Sequence, residues 1–264
     1  MLRAMRADRD LDLGDHDPAA TFGWDKAAAN AELASELVAV AELQTRLFAE
    51  RTRALLVVLQ AMDAGGKDGV IRSVLTGINP AGVEVSSFGV PSEEERAHDY
   101  LWRIHRRAPE RGRIGVFNRS HYEDVLVVRV KGLVPTAQWK RRYRHIRELE
   151  RLLVEEGTAI VKLFLHVSAE EQRLRLQDRI DSPDERWKFR AGDLDDRALW
   201  DDYQRAFRDA LRATSTDGAP WFVVPADRKW VRNLAVARIL RDALERLDPQ
   251  YPPPEPGIEG LVVT

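Results

Sequence analysis

The chemistry of this chain concentrates in nine residues, Ala61-Met62-Asp63-Ala64-Gly65-Gly66-Lys67-Asp68-Gly69. Two glycines and a lysine, set between an apolar run and a helical pattern, are the parts of a phosphate cradle. The glycines let successive backbone N–H groups turn inward on a polyanion. The start of the next helix adds partial positive charge, and the Lys67 ammonium adds a full one. The generic phosphate loop reads Gly-x-x-x-x-Gly-Lys followed by Ser or Thr, and this stretch departs from it. Ala61 replaces the first glycine, and Asp68 replaces the hydroxyl that normally touches Mg²⁺. Asp63 adds a second carboxylate inside the loop. Two carboxylates repel a polyphosphate unless cations intervene. That implies Mg²⁺, a hard ion commonly held by one or two carboxylates plus phosphates. Asp63 and Asp68 are therefore candidate metal ligands. Ala64, Gly65, Gly66, Lys67, Asp68, Gly69 and Arg72 are candidates for phosphate or nucleotide binding.

A second constellation, Asn118-Arg119-Ser120-His121-Tyr122-Glu123-Asp124, follows another apolar run. In a fold of this kind such a strand end lies beside the phosphate cradle, where a second Mg²⁺-organising group is needed. A polar turn capped by Asn118 or Ser120 is the plainer reading of these residues taken alone. A third group, Arg173, Arg175, Arg179, Arg186, Lys188 and Arg190, has the composition of a mobile lid. In nucleotide kinases an arginine-rich lid closes over the transferring phosphoryl group, excludes water and neutralises its oxygens. Asp181-Ser182-Pro183 and Gly192 could serve as hinges. Two further basic runs, Lys140 to Arg147 and Arg103 to Arg113, are solvated helix faces individually and together could form a track for a long polyanion. The six histidines lack metal-ligand spacing, and no Gly-x-Ser-x-Gly elbow is present.

The elements that position these groups alternate. Asp25 caps a helix expected to reach about Arg53, with Leu33, Leu37, Val40, Leu43 and Leu47 on one face, which could pack on its own core or on a second subunit. Strands are expected at Leu55–Leu59, Val83–Phe88, Arg113–Asn118, Thr158–Val167 and Trp221–Pro225. A capping box at Ser92 and Glu95 opens a helix carrying Tyr100, Leu101 and Ile104. Further helices start after Pro135 and Ser168, and cover 194–212 and 231–247. Strands alternating with helices imply α/β architecture, a parallel sheet covered on both faces with ligands at the C-terminal strand ends. The expected organisation is an N-terminal arm over 1–24, one domain over 25–247 with its lid at about 173–192, and a tail over 248–264.

The 264 residues are 44% hydrophobic and 32% charged, enough for one large core. Lys and Arg number 41 against 43 Asp and Glu, so a globally basic nucleic-acid binder is not indicated. Cysteine is absent, which excludes disulfides, thiolate metal sites and cysteine nucleophiles. No apolar run approaches a membrane span, and residues 1–10 lack the apolar core of a signal peptide. A cytoplasmic location is the expectation.

Taken together, these blocks resemble the polyphosphate kinase 2 family. The matching residues are Met62 to Gly69, Ser87-Phe88 with Pro91-Ser92, His98 to Arg103, Gly115 to Leu126, and Arg186 to Phe189. The resemblance spans roughly Asp25 to Lys229. It implies a P-loop kinase fold with a helical lid, and reversible Mg²⁺-dependent phosphoryl transfer between inorganic polyphosphate and AMP, ADP or ATP. Carried over, Asp63, Lys67 and Arg119 are the catalytic residues. Asp63 binds Mg²⁺ and poises the acceptor, and Arg119 belongs to the Walker B-like element. Asn118, Tyr122, Glu123, Arg129, Arg173, Arg179 and Lys188 join the substrate-binding set, and Glu123 and Asp124 join the metal set. A homo-oligomer, dimer or tetramer, is implied, with no nucleic-acid or membrane partner. Many members carry Asp-Arg-Ser-Trp-Tyr-Asn-Arg at the third strand, so here Asn118 stands at the usual Walker B aspartate. Metal binding must then come from Asp63, Glu123 or Asp124. Glu123 makes the chain similar to the subgroup acting on both AMP and ADP (class III). Glu185 stands where a lysine is common. The competing expectations are an ATP-dependent nucleoside monophosphate kinase of thymidylate kinase type and a non-catalytic binding module.

Overall fold

The computed structural model describes residues 1–258 and 260–263. The elements run α1 (Leu2–Met5), α2 (Lys26–Glu50), β1 (Ala54–Ala61), α3 (Lys67–Val74), β2 (Val83–Ser87), α4 (Glu93–Ala97), α5 (Trp102–His105) and β3 (Ile114–Asn118). They continue α6 (Val127–Val130), α7 (Thr136–Glu155), β4 (Thr158–His166), α8 (Ala169–Asp181), α9 (Gly192–Ala198), α10 (Trp200–Thr214), β5 (Trp221–Pro225) and α11 (Lys229–Leu247). The five strands form one parallel sheet in the order β2-β3-β1-β4-β5. β1 is buried at every position, which is why it reads as an unbroken apolar run. Helices α2, α3 and α11 pack together, as do α6, α7 and α10. Leu59 of β1 pairs with Asn118 of β3. The loops after these two strands therefore leave the C-terminal edge side by side, and the Arg119 N–H donates to the Leu59 carbonyl at 3.1 Å.

Most expected elements are present, and the differences have local causes. Asp25 caps α2 by accepting the Ala28 N–H at 2.9 Å. The apolar face of α2 lies on α11 of its own chain, with Val40 and Leu47 fully buried. The helix expected from Ser92 through Ile104 is broken between Ala97 and Trp102. His98 is extended and stacks on Trp102 at 4.1 Å, and the Asp99 carboxylate accepts the Leu101 N–H at 2.9 Å, restarting the chain as α5. The stretch expected as one helix over 194–212 divides at Leu199 into α9 and α10.

The N-terminal segment is built into the fold rather than laid on its surface. Met5, Ala7, Leu11 and Leu13 are buried, Arg6 forms an antiparallel bridge to Phe222, and the Ala7 N–H donates to the Trp221 carbonyl at 2.9 Å. It covers the β5 edge, which an uncovered sheet would leave open to other chains. No helix among the described residues is long and apolar enough to cross a membrane.

One charged network lies inside the core. Lys162, on β4, is fully buried and donates to Glu150 at 2.6 Å, the Tyr122 hydroxyl at 3.0 Å and the Thr214 carbonyl at 2.8 Å. All three ammonium protons are thereby used. The Tyr122 hydroxyl donates to Glu150 at 2.8 Å, so the turn after β3 is fastened to α7 and β4 from below.

Candidate active site

The loop from Met62 to Gly66 is held in shape by side chains from α3 and α8. The Lys67 ammonium folds back and donates to the Ala61 carbonyl at 3.1 Å. Gln172 and Arg175, both on α8, donate to the Asp63 and Ala64 carbonyls at 3.0 and 3.1 Å. Gly66 is left-handed, with φ of 99°, and caps α3. Ala64 is left-handed too, at φ of 58°, a conformation that costs a non-glycine residue about 1–2 kcal/mol. A Cβ on Gly65 would lie 2.6 Å from the Ala61 Cβ, so glycine is required there by space. The result is a turn at a helix N-terminus, the geometry that cradles phosphate.

The second loop brings its charges to this turn. Arg119 is left-handed, with φ of 62°, held by its bond to Leu59. Its guanidinium donates to Asp63 at 2.6 Å and lies 3.9 Å from Glu123. The Asn118 amide donates to Asp68 at 2.8 Å. Ser120 caps the following turn by accepting the Tyr122 N–H at 3.1 Å, and accepts the Gln60 amide at 3.1 Å. Burial pushes the Glu123 carboxyl up, with Arg119 and Lys67 pulling it back only in part. Burial, then Arg119, pushes the Lys67 ammonium down. Burial opposes the Arg119 charge as well, but Glu123 and Asp63 outweigh it and raise its pKa. Asp63, Lys67, Asp68, Asn118, Arg119 and Glu123 thus form one constellation, with Gly65, Gly66 and Gly69 as its floor.

This donor set fits Mg²⁺. Among the described residues no three His, Cys, Asp or Glu groups converge as a metal cage. Mg²⁺ does not require one, since it usually takes one or two carboxylates and completes its shell with water and phosphate. Asp63, Asp68 and Glu123 supply hard oxygens at the cradle.

Other candidates are placed elsewhere. Asp124 turns away and binds Arg142 at 3.1 Å, with Arg103 at 3.8 Å. It faces a separate cavity of about 650 Å³ between α4, α5 and α7, so it does not join the metal set. The Tyr122 side chain is fully buried in the Lys162 network and reaches no ligand surface, because its hydroxyl is consumed by Glu150. Arg129 pairs with Asp209 at 2.8 Å and stacks on Trp139 at 4.6 Å. In the lid, Arg173 pairs with Glu170 and Lys188 with Glu185, at 2.7 and 2.6 Å. Arg179 lies 3.8 Å from Asp193. Arg72 is exposed on α3.

Several neighbours of the site were not anticipated. Burial, reinforced by repulsion from Asp63, pushes the Asp193 carboxyl up, so the start of α9 feels the charge of the loop. Asp196 and Tyr203 line the cleft with Asp63 and Arg119, joined to each other at 3.0 Å. Arg232 of α11 packs on Gly66 and Gly69. Its signal was legible: it is a lone cation on the face shared by Ala235, Val236 and Ile239, at helical spacing within an apolar stretch. Asp193 and Asp196 carried no such signal among many acids.

A family model described as polyphosphate kinase 2 (PPK2) matches residues 23–252. An AMP/ADP-polyphosphate phosphotransferase of Meiothermus ruber is 57% identical over 249 residues, covering 94% of this chain and 93% of the relative. An ADP-polyphosphate phosphotransferase of Rhodopseudomonas palustris is 48% identical, covering 85% and 82%. The crystal structure of polyphosphate kinase 2 from Arthrobacter aurescens TC1 superposes with a TM-score of 0.92 at 44% identity, covering 95% of this chain and 91% of that one. A parallel sheet whose central strand opens into a carboxylate-bearing phosphate loop, matched along nearly its whole length by these proteins, makes this chain a member of the polyphosphate kinase 2 family.

Proposed function

We propose that this protein is a polyphosphate:nucleotide phosphotransferase that moves a phosphoryl group reversibly from inorganic polyphosphate to AMP and ADP, giving ADP and ATP, with Mg²⁺. The observation that carries the reading is the junction of Asp63, Lys67, Arg119 and Glu123 at one phosphate loop. A loop built only to bind phosphate gains nothing from two carboxylates beside it. The names of the two relatives support the substrates.

In the forward step an oxygen of the acceptor's terminal phosphate attacks the end phosphorus of the polymer. The bond to the next phosphate breaks, and the polymer leaves one unit shorter. Little covalent chemistry is asked of the protein, so its contribution is alignment and charge neutralisation. Gly65, Gly66 and Lys67 seat the donor phosphates. Arg119 neutralises the group in flight, and Asp63 orients it by holding Arg119. Mg²⁺, held by Asp63 with Asp68 or Glu123 and by substrate oxygens, would neutralise phosphate charge. A dimer or tetramer belongs to the same reading. Among the described residues β2 pairs only with β3, and Val85 on β2 and Val90 just beyond it are exposed, which supports that reading; light scattering reads that state.

The deciding experiment incubates the protein with Mg²⁺ and long-chain polyphosphate, AMP in one tube and ADP in another, and resolves nucleotides by chromatography. ATP from both is the expected result. ATP from ADP alone keeps the donor and removes the role given to Glu123. Turnover only with ATP as donor to a nucleoside monophosphate moves the chain to the ordinary nucleotide kinases.

A further inference from the structure

Arg232 lies in the first turn of α11 and is 3% exposed. Its guanidinium closes against the phosphate loop. A Cβ built on Gly66 would lie 2.0 Å from Nη1, and one built on Gly69 would lie 3.1 Å from Nη2. Glycine at both positions is what lets the guanidinium approach the helix start. A buried arginine ordinarily meets a carboxylate. Here Nε and Nη2 donate only to Asn233 Oδ1, at 3.2 and 2.9 Å, and no acid among the described residues pairs with the guanidinium. Nη1, the nitrogen over Gly66, donates to nothing among the described residues.

The charge that does bear on Arg232 has the same sign. Arg175 Nη1 lies 3.7 Å from the same Gly66 position. Arg175 is fully occupied, donating to Glu171, Ala64, Ala226 and Asp227. Burial and then Arg175 bring Arg232 down to about 10, which leaves it charged at neutral pH. Arg175 has Glu171 as its counter-charge, whereas Arg232, beside the same anion-binding turn and with an unused donor, has none among the described residues.

We propose that Arg232 is a ligand for the donor: its Nη1 binds a phosphate oxygen of the inorganic polyphosphate chain seated on the Gly65–Gly69 turn. The inference rests on the reading that this turn takes polyphosphate. The topology assigns Arg232 to the donor rather than the nucleotide. In the sheet order β2-β3-β1-β4-β5, Arg119 and Glu123 follow β3, on one side of the loop after β1. Arg232 follows β5, on the other side. The acceptor that meets Arg119 and the chain that meets Arg232 therefore enter from opposite flanks.

The test is calorimetric titration of inorganic tripolyphosphate into the wild type and Arg232→Gln, with melting temperatures of both apo proteins and steady-state KM values. Arg232→Gln is expected to bind tripolyphosphate about 10-fold or more weakly, the loss of one charge-assisted hydrogen bond. KM should rise for polyphosphate and stay level for AMP and ADP. The apo protein should melt at the same or a higher temperature, because an unpaired buried charge has been removed. A purely structural arginine gives the opposite pattern, a lower apo melting temperature with unchanged tripolyphosphate affinity, and that result overturns the proposal. Should Arg232→Gln not fold, Arg232→Lys keeps the charge but loses the planar fork. It must still weaken tripolyphosphate binding, and equal affinity refutes the assignment. A wild type that binds no tripolyphosphate at all removes the polyphosphate reading itself, and Arg232's role with it. A loss confined to the variants leaves that reading standing.

Discussion

Asp63 and Arg119 meet at 2.6 Å, and each is only partly shielded, at 21% and 39% exposure of the side chain. The pair is therefore open to competition from phosphate, and in the proposed mechanism Asp63 acts by fixing where Arg119 points. Asp63→Asn keeps the shape and removes the charge. It should lower the rate by roughly 100-fold or more, on the scale of other positioned transition-state contacts, with an unchanged circular dichroism spectrum; near-normal turnover would remove Asp63 from the mechanism. Glu123 is expected to set the pH dependence. Folding raises its pKa, chiefly through burial, so the folded chain holds that proton more tightly than the unfolded one. Its contribution to stability is present below the unfolded value and is lost as pH rises through the folded one. The proposed role of Glu123 requires the ionised form, so activity is expected to run the other way. The acid limb of the rate profile should lie above the ordinary glutamate range, and Glu123→Gln should abolish that limb. A limb that persists in the variant belongs to another group.

At the level of elements, the turn carrying Arg119 and Glu123 is anchored by what lies beneath it. Lys162 on β4 and Glu150 on α7 are 0% and 2% exposed and pair at 2.6 Å. Removing one partner strands the other charge in the core. Lys162→Met should cost about 3–5 kcal/mol of stability, and Lys162→Met with Glu150→Leu should recover most of it. Urea unfolding of both variants checks this. A double variant no better than the single would show that the hydrogen bonds to Tyr122 and Thr214, not the charges, carry the stability.

For the molecule as a whole, phosphoryl transfer requires the lid to meet the loop. Two lid cations are paired with acids in this structure, Arg173 with Glu170 and Lys188 with Glu185, while Trp187 is 78% exposed. Phosphate must draw those cations from their acids, and the indole should then move out of water. Tripolyphosphate with ADP should shift tryptophan emission to the blue in the wild type and not in Trp187→Phe. A donor recognised by charge also makes binding salt-sensitive. KM for polyphosphate should rise several-fold between low salt and about 0.5 M, with kcat changing far less. A KM insensitive to salt would mean recognition by shape.

The strand–loop–helix unit from Leu55 to Leu75 was legible because its determinants are local. A buried strand reads as an apolar run, a glycine turn reads as itself, and a helix shows its period. The alternation of elements then dictated a parallel sheet. Local signals also misled. His98 and Asp99 break a helix that periodicity joined, and four apolar residues between Met5 and Leu13 build a polar-looking arm into the β5 edge. Which polar groups of a short motif face one another was beyond reading. Glu123 and Asp124 are neighbours in one turn, yet one meets Arg119 and the other Arg142. Tyr122 between them belongs to the core because Lys162, forty residues away, is buried beneath it. Arg232 is 166 residues from Gly66 in the chain. The sequence determined the chemistry on offer, since residue types and short spacings are local properties. The tertiary structure alone decided which charges are paired, buried or left waiting, because those depend on elements the chain brings together only by folding.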